Sequence, residues 1–205
     1  MNIQVFNQAS IKLTSNKVIY FDPYQLVEKK HDADIIFITH DHYDHYEEES
    51  IKKALNNKTI LVIPKILEKQ AASITNNLLV VEPGKTYVIN GITFETVPSY
   101  NHSAPYHPKE KQYVGYNVFV DEVKYYVMGD TDRTPETENV KTDVCFVPIG
   151  GTYTMDVEEA TNYINYIKPK KVIPIHYGSI VGDISLGTTF KNKINREIEV
   201  EILIK

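Results

Sequence analysis

The sequence predicts an α/β protein, and two stretches support that prediction. Asp34–Ile38 is an apolar run typical of a buried strand, and the amphipathic pattern of Glu47–Leu55 after it predicts a helix. Farther along, a strand at Ile60–Ile63 is followed by a helix at Pro64–Ser73 and a strand at Leu78–Val81. This order of strand, helix and strand is typical of domains in which helices and sheets form separate layers.

The other elements follow from local patterns along the chain. Three short apolar segments open the chain as a meander of strands, and Asn90-Gly91 between two apolar segments predicts a hairpin. Asp156 is a suitable N-cap for a helix whose first turn carries Glu158 and Glu159, where carboxylates interact favourably with the helix dipole. The remaining predicted elements are strands at Ile3–Phe6, Ala9–Leu13, Val18–Phe21, Lys85–Ile89, Ile92–Val97, Tyr113–Val120, Val123–Met128, Thr142–Pro148, Lys171–Ile175 and Glu197–Ile204, and helices at Val157–Ile167 and Leu186–Lys193.

Length and composition favour a single domain that spans residues 1–205. A chain of 205 residues can bury one sizeable core, and 42% hydrophobic with 24% charged residues is ordinary for a globular protein. We find no repeat, low-complexity segment or linker that would divide it. The net charge of -5 gives no general attraction to nucleic acids or anionic membranes, so both are disfavoured as partners.

The cysteine content and the N-terminal segment predict a cytoplasmic protein. Cys145 is the only cysteine, which rules out an internal disulfide framework and fits a reducing compartment. Its apolar neighbours predict a buried thiol without a catalytic role. The first residues form neither a basic region nor a continuous apolar region of a secretion signal, and no apolar run approaches the length of a membrane span.

The most informative segment is the loop after the strand at Asp34–Ile38. It holds four metal-binding side chains within six positions: His40, His42, Asp44 and His45. Neutral imidazole and carboxylate together suit zinc, manganese or iron. In an extended loop the first two histidines project to the same side, and the other two ligands reach a second ion after a bend. Two alternatives are less favoured: an acidic surface loop without function, and a structural metal site, which would prefer cysteine.

Three further candidate ligands each lie just after a predicted strand: His102, Asp130 and His176. Loops that leave one edge of a sheet converge in space, so their positions support a role as ligands. His31 and His107 lack this support. Charged neighbours predict a solvated His31, and His107 lies in the polar loop that contains His102.

His40-x-His42-x-Asp44-His45 resembles the H-x-H-x-D-H motif of the metallo-β-lactamase superfamily. The resemblance implies an α/β domain (α+β in some classifications), built as a four-layer αββα sandwich with a metal site at one edge of two packed mixed sheets. It also implies two divalent metal ions, zinc first, with manganese, iron or nickel as alternatives. The implied ligands are His40, His42 and His102 for one ion and Asp44, His45 and His176 for the other, with Asp130 bridging the two.

Further motifs resemble one branch of that superfamily, which contains L-ascorbate-6-phosphate lactonase and related small metal-dependent hydrolases. They include Gly129-Asp130-Thr131, the run from Pro148 to Met155, and His176-Tyr177-Gly178. This resemblance implies a lactone or phosphoester-type small molecule as substrate. A phosphodiesterase or nuclease of the same superfamily is the alternative enzyme, and a non-catalytic metal-binding module is the alternative outside enzymes.

The expected reaction is hydrolysis by a hydroxide that two metal ions activate. Asp44 and Asp130 are the candidate catalytic carboxylates. Asp22, at a strand end before Pro23, either orients a metal-bound histidine or simply starts a turn. The sequence specifies no oligomeric state. Candidate substrate contacts, all on loops at the expected site, are Asn101, Tyr106, Gly151, Tyr153 and Tyr177.

Overall fold

Two mixed β-sheets organise the chain in the computed structural model, which describes residues 1–102 and 105–204. Each sheet belongs to one of two compact units, Met1–Glu82 and Pro83–Lys205. The expectation that residues 1–205 form a single domain stays a prediction. Across the described ranges, no helix is long and apolar enough to cross a membrane.

The first unit contains a six-stranded sheet whose strand order follows the chain order. Its strands are β1 (Asn2–Val5), β2 (Ile11–Thr14), β3 (Val18–Phe21), β4 (Ile35–Phe37), β5 (Ile60–Pro64) and β6 (Leu78–Val81). The first two pairings are antiparallel and the next three are parallel. Its helices are α1 (Glu48–Ala54) and α2 (Glu68–Ala71), the second preceded by a 3-10 turn at Lys65–Leu67.

Apolar side chains explain why β4 lies inside this sheet. All three of its residues are buried, and Ile51 and Ala54 of α1 belong to the same core cluster as Ile36 of β4. The parallel pair β3 and β4 places Phe21 opposite Phe37. Because parallel strands end at the same edge of a sheet, the segments that follow β3 and β4 emerge side by side.

The second unit contains a seven-stranded sheet. Its strands are β7 (Thr86–Ile89), β8 (Ile92–Pro98), β9 (Val114–Val120), β10 (Val123–Val127), β11 (Val144–Pro148), β12 (Lys171–Ile175) and β13 (Glu199–Val200). They lie in the order β13-β12-β11-β10-β9-β8-β7. The helices of this unit are α3 (Pro135–Glu138), α4 (Val157–Ile167) and α5 (Leu186–Lys193), with a 3-10 turn at Lys109–Lys111.

Strand direction brings four loops of the second unit to one edge of its sheet. β10, β11 and β12 are parallel neighbours. β8 runs in the same direction as β10, because each of them pairs antiparallel with β9. The segments after β8, β10, β11 and β12 therefore leave the sheet on the same side, and three of them carry predicted ligands.

Helix α4 has the bounds that the sequence predicts, and its ends explain them. The Asp156 side chain accepts a hydrogen bond from the backbone N–H of Glu159 (2.9 Å), and the Glu159 side chain accepts one from the backbone N–H of Asp156 (3.0 Å). This reciprocal pair satisfies two backbone donors that the first helical turn leaves without partners. At the other end, Lys168 adopts a left-handed conformation with φ of 50° before Pro169, which stops the helix.

Besides shifts of one or two residues in the bounds of several elements, three elements differ from the sequence-based prediction. The last strand, predicted at Glu197–Ile204, is reduced to the two residues that pair with β12. The helix predicted at Pro64–Ser73 is reduced to the 3-10 turn at Lys65–Leu67 and α2, because Pro64 still pairs with Val81 at the end of β5. Helix α3 was not predicted because it has only four residues, although its capping residue Thr134 and the proline after it are typical start signals.

Candidate metal centre

Four predicted ligands lie together at the loop that follows β4. We call His40, His42, Asp44 and His45 the first cluster. The His40 ring centroid is 3.9 Å from that of His45 and 4.6 Å from that of His42. His45 Nε2 lies 3.6 Å from Asp44 Oδ2, and Gln8, which no sequence motif singled out, donates its amide to the same oxygen at 3.4 Å.

Asp22 anchors this cluster from the end of β3. Its carboxylate is fully buried and accepts three hydrogen bonds, from His45 Nδ1 (2.7 Å), Thr39 Oγ1 (2.6 Å) and the backbone N–H of Thr39 (2.8 Å). Burial raises the pKa of the Asp22 carboxyl, while the hydrogen bonds from His45 and Thr39 oppose that rise. The predicted role of Asp22 as an orienting group for a histidine is the one that the contacts support.

The hydrogen bonds around Asp22 also fix two imidazole tautomers. A carboxylate only accepts, so His45 must carry its proton on Nδ1. Thr39 has one hydroxyl proton, and because it is donated to Asp22, its oxygen accepts from His40 Nδ1 at 2.9 Å. Both histidines therefore present Nε2 as the nitrogen with a lone pair, which is the form that binds a metal ion.

The second unit contributes a second cluster of three buried residues, His107, Asp130 and His176. Asp130 Oδ2 lies 3.4 Å from His107 Nε2 and 3.2 Å from His176 Nε2. Ser99 Oγ donates to the backbone carbonyl of Asp130 at 3.0 Å and thereby ties the segment after β8 to the segment after β10. The structure thus brings Asp130 and His176 together, as predicted, with a histidine that was not predicted.

His102 does not join this cluster, which corrects its assignment as a ligand. Its backbone N–H donates to Asp132 Oδ2 at 2.8 Å, and its Nε2 lies 3.0 Å from the backbone carbonyl of Arg133. These two contacts hold the imidazole in an exposed position. His107, which sequence reasoning placed among the unsupported histidines, occupies the buried position beside Asp130.

Asn101 was predicted to contact substrate, but its side chain is occupied within the protein. Its Oδ1 lies 2.7 Å from His107 Nδ1, and its Nδ2 donates to Asp132 Oδ1 at 2.9 Å. Its backbone N–H donates to the carbonyl of His107 at 2.9 Å. These bonds tie Asn101 to His107 and Asp132, so both polar atoms of its side chain are engaged within the protein, contrary to the expected contact with substrate.

Two predicted substrate contacts, Tyr106 and Tyr153, form an aromatic pair. Their ring centroids are 4.7 Å apart with an interplanar angle of 88°, an edge-to-face arrangement. Tyr106 is 44% exposed, so this pair presents an aromatic surface to solvent. The backbone N–H of Gly151 donates to the carbonyl of Met155 at 3.1 Å, so this amide serves the turn and is not available to a substrate oxygen.

Tyr177 is a packing residue, which corrects its predicted contact with substrate. Its side chain is fully buried. It lies against Gly187 of α5, where an added Cβ would be only 2.3 Å from the Tyr177 hydroxyl oxygen. The tyrosine therefore fills space beneath α5 and has no surface that a substrate could reach.

The donor atoms of both clusters fit a divalent metal ion. Each cluster combines imidazole nitrogens with carboxylate oxygens, the ligands that zinc, manganese and iron(II) accept. Three of the imidazoles have their Nδ1 held by an oxygen of Asp22, Thr39 or Asn101, which is how proteins usually orient histidine ligands. Cys145 is buried within β11, and burial raises the pKa of its thiol, which disfavours the thiolate form.

Comparisons with known proteins agree with these features. A family model described as "Beta-lactamase superfamily domain" matches residues 2–176. A metal-dependent hydrolase of Thermococcus onnurineus is 26% identical over 224 residues, covering 99% of this chain and 96% of that protein. A crystal structure from Parabacteroides distasonis, whose description groups it with metal-dependent hydrolases, has a TM-score of 0.84 at 28% identity and covers 99% of this chain and 93% of its own.

A more distant structure identifies the fold. A zinc-dependent hydrolase of the metallo-β-lactamase superfamily from Thermotoga maritima, as its description classes it, has a TM-score of 0.67 at 20% identity, covering 98% of this chain and 97% of its own. Together with the two mixed sheets and their helices, this likeness confirms the predicted α/β fold class of the metallo-β-lactamase type. The resemblance drawn from the H-x-H-x-D-H motif is confirmed by the same matches.

Proposed function

The chain belongs to the metallo-β-lactamase superfamily and is a metal-dependent hydrolase, and on that premise we propose that it uses two divalent ions to hydrolyse a lactone or phosphoester-type small molecule. Zinc is the first candidate for both ions, because the ligands are imidazoles and carboxylates. Manganese, iron and nickel accept the same ligands. The lactone or phosphoester substrate follows from the resemblance of Gly129-Asp130-Thr131 and the run from Pro148 to Met155 to the lactonase branch.

One observation carries the proposal: each cluster contains a buried imidazole whose Nδ1 is hydrogen-bonded to a side-chain oxygen. His45 is held by Asp22 at 2.7 Å, and His107 is held by Asn101 at 2.7 Å. Orienting two histidines in this way requires the burial of polar side chains, which is energetically unfavourable and which a merely structural core would not need. Such bonds fix the tautomer in which Nε2 binds a metal, so their presence in both clusters supports metal ligation by both.

We assign the ligands by following the superfamily pattern, with His107 in the place of His102. Asp130 is the bridging carboxylate, and its assignment is supported by the contacts of its Oδ2 with two imidazoles. The family match spans residues 2–176 and therefore includes every proposed ligand. The proposed ligands are His40, His42 and His107 for one ion and Asp44, His45 and His176 for the other.

When bound, the two ions would make a water molecule acidic and polarise the substrate oxygen. The chain itself supplies the proton acceptor and the orienting groups. Asp44 accepts the proton that the attacking water gives up, and the amide of Gln8 at Asp44 Oδ2 holds this carboxylate in place. Asp22 and Thr39 keep the His40 and His45 rings in their productive tautomers throughout the reaction.

Metal content tests the two-ion centre directly. We expect elemental analysis of protein purified without chelator to give close to two divalent ions per chain. Chelator treatment should abolish hydrolysis of a lactone and phosphoester panel, and added zinc should restore it. A metal content of one or none, or activity that survives complete removal of metal, would contradict the proposal. Cleavage of nucleic acid that weakens steeply with salt would instead favour a nuclease.

The aromatic pair formed by Tyr106 and Tyr153 is the proposed wall for the substrate's remote part. Replacing Tyr153 with alanine should raise KM about three- to tenfold with a smaller effect on kcat, because a ring contact of this kind contributes about 0.5–1.5 kcal/mol. Steady-state kinetics on the best substrate of the panel measures this change. Tyr166→Ala removes a tyrosine that is 55% exposed in α4 and serves as the matched control. Equal KM values in the two variants would remove Tyr153 from the substrate site.

A further inference from the structure

We infer that Asn101 and Asp132 form a positioning pair that fixes the tautomer and orientation of the His107 ring for metal binding. The inference rests on the proposed function, in which His107 is a ligand. It assigns a role to Asp132, which no motif singled out, and a new role to Asn101.

The pair consists of two hydrogen bonds in series. Asp132 Oδ1 accepts from Asn101 Nδ2 at 2.9 Å, and Asn101 Oδ1 lies 2.7 Å from His107 Nδ1. The other side of the ring faces Asp130, with 3.4 Å between His107 Nε2 and Asp130 Oδ2. Asn101 is 7% exposed and His107 is fully buried, so solvent has little access to these bonds.

The chemistry of the donors allows only one arrangement of protons. The Asp132 carboxylate only accepts, so the amide of Asn101 must turn its NH2 group toward Asp132. Its carbonyl oxygen then faces His107, and because that oxygen only accepts, His107 must carry its proton on Nδ1. The lone pair is consequently on Nε2, the nitrogen that faces Asp130. Without Asp132, the amide could rotate and present NH2 to His107, which would favour the opposite tautomer.

Backbone hydrogen bonds also connect the segments that carry the pair. The backbone N–H of Asn101 donates to the carbonyl of His107 at 2.9 Å, and the backbone N–H of Asp132 donates to the carbonyl of Tyr100 at 3.0 Å. Asp132 Oδ2 also accepts the backbone N–H of His102 at 2.8 Å. One carboxylate therefore has two effects: it keeps the amide of Asn101 in the orientation that serves His107, and it anchors the backbone of the histidine that stays outside the cluster.

The test compares Asn101→Ala and Asp132→Ala with the wild-type chain in two measurements. The first is the ring tautomer of His107 in metal-free protein, read from long-range proton–nitrogen correlation spectra of 15N-histidine-labelled samples and assigned with a His107→Ala sample. The second is the affinity for zinc, measured by competition with a chromophoric chelator. We expect the Nδ1–H tautomer in the wild type, a mixture in both variants, and zinc binding weakened 10- to 100-fold.

Asn165→Ala is the matched control, because the amide of Asn165 also joins two groups of the chain. It donates to the carbonyl of Lys193 at 3.4 Å and accepts the backbone N–H of Asn195 at 2.9 Å. It should leave both the tautomer of His107 and the zinc affinity unchanged. A second test reverses the pair by combining Asn101→Asp with Asp132→Asn, which restores a donor at position 132 and an acceptor at position 101. This double variant should recover the Nδ1–H tautomer that either single substitution to alanine loses.

Where the wild-type chain binds zinc, both readouts must change together in the variants. If the tautomer and the zinc affinity of Asn101→Ala match the wild type, or if only one of them changes, the positioning role is overturned. The reversed double variant decides the same question if a single variant fails to fold, because loss of the Nδ1–H tautomer in it would also overturn the role. A wild-type chain that binds no zinc would overturn the proposed function, whereas the tautomer in metal-free protein would still test the pair.

Discussion

Replacing Asp22 with alanine is expected to lower the free energy of unfolding by about 3–5 kcal/mol, since it leaves buried donors without an acceptor. The carboxylate accepts from His45 Nδ1, from Thr39 Oγ1 and from the backbone N–H of Thr39, and it is fully buried. Because the same bonds orient the His45 ring, zinc affinity should also fall roughly 10- to 100-fold. Urea unfolding of metal-free protein and chelator competition measure the two effects.

Asp34→Ala provides the matched control within the same unit. Asp34 also accepts a backbone hydrogen bond, from Val18 at 2.8 Å, and pairs with Lys17 at 3.4 Å. Its removal should lower stability without changing zinc affinity. If Asp22→Ala bound zinc as tightly as Asp34→Ala, the carboxylate would support only the fold, and its role toward His45 would be rejected.

His107→Ala should reduce hydrolysis by roughly 10⁴-fold or more, the scale seen when one member of a catalytic unit is removed. His102→Ala, five positions away, should retain activity within about threefold. The reason is their placement: His107 is buried with its Nε2 3.4 Å from Asp130 Oδ2, whereas His102 is exposed and contacts the carbonyl of Arg133. Rates for both variants on one substrate, with metal content measured on the same samples, provide the comparison.

The reverse result would restore the assignment made from sequence. Loss of activity and metal in His102→Ala, with both retained in His107→Ala, would mean that the loop adopts another arrangement when metal is bound. Loss in both variants would make the two histidines parts of one site and contradict the exclusion of His102. Each outcome is decided by the same pair of proteins.

The first cluster could be predicted from the sequence because its ligands are contiguous. His40, His42, Asp44 and His45 follow one apolar strand, so the chain itself brings them together. Asp22 is farther away along the chain, but the parallel pairing of β3 and β4 places it beside them. A carboxylate at a strand end was enough to suggest this role.

The second cluster was predicted only in part, because its members come from loops far apart in the chain. Strand ends indicated Asp130 and His176, and the structure places His176 Nε2 3.2 Å from Asp130 Oδ2. The choice between His102 and His107 depends on bonds from Asp132 to the loop, and no local pattern encodes such long-range contacts. The burial of Tyr177 against Gly187 likewise depends on tertiary packing.

The secondary-structure predictions also succeeded where local sequence determines an element and failed where tertiary contacts do. Helix α4 was predicted with its observed bounds because its capping residues and its apolar face are local. The last strand is shorter than predicted, because its length depends on how many of its residues pair with β12, and that number is set by tertiary structure. The local sequence around Pro64 predicts the start of a helix, yet pairing with β6 keeps Pro64 in β5.

The single hydroxyl of Thr39 links two ligands that our assignment gives to different ions. It donates to Asp22, which holds His45, and it accepts from His40 at 2.9 Å. Binding of one ion should therefore stabilise the hydrogen bonds that orient the histidine ligand of the other ion. By thermodynamic reciprocity, each ion should raise the affinity of the chain for the other ion. Titration with zinc should consequently be cooperative, and Thr39→Val, which keeps the shape but deletes the hydroxyl, should weaken that cooperativity.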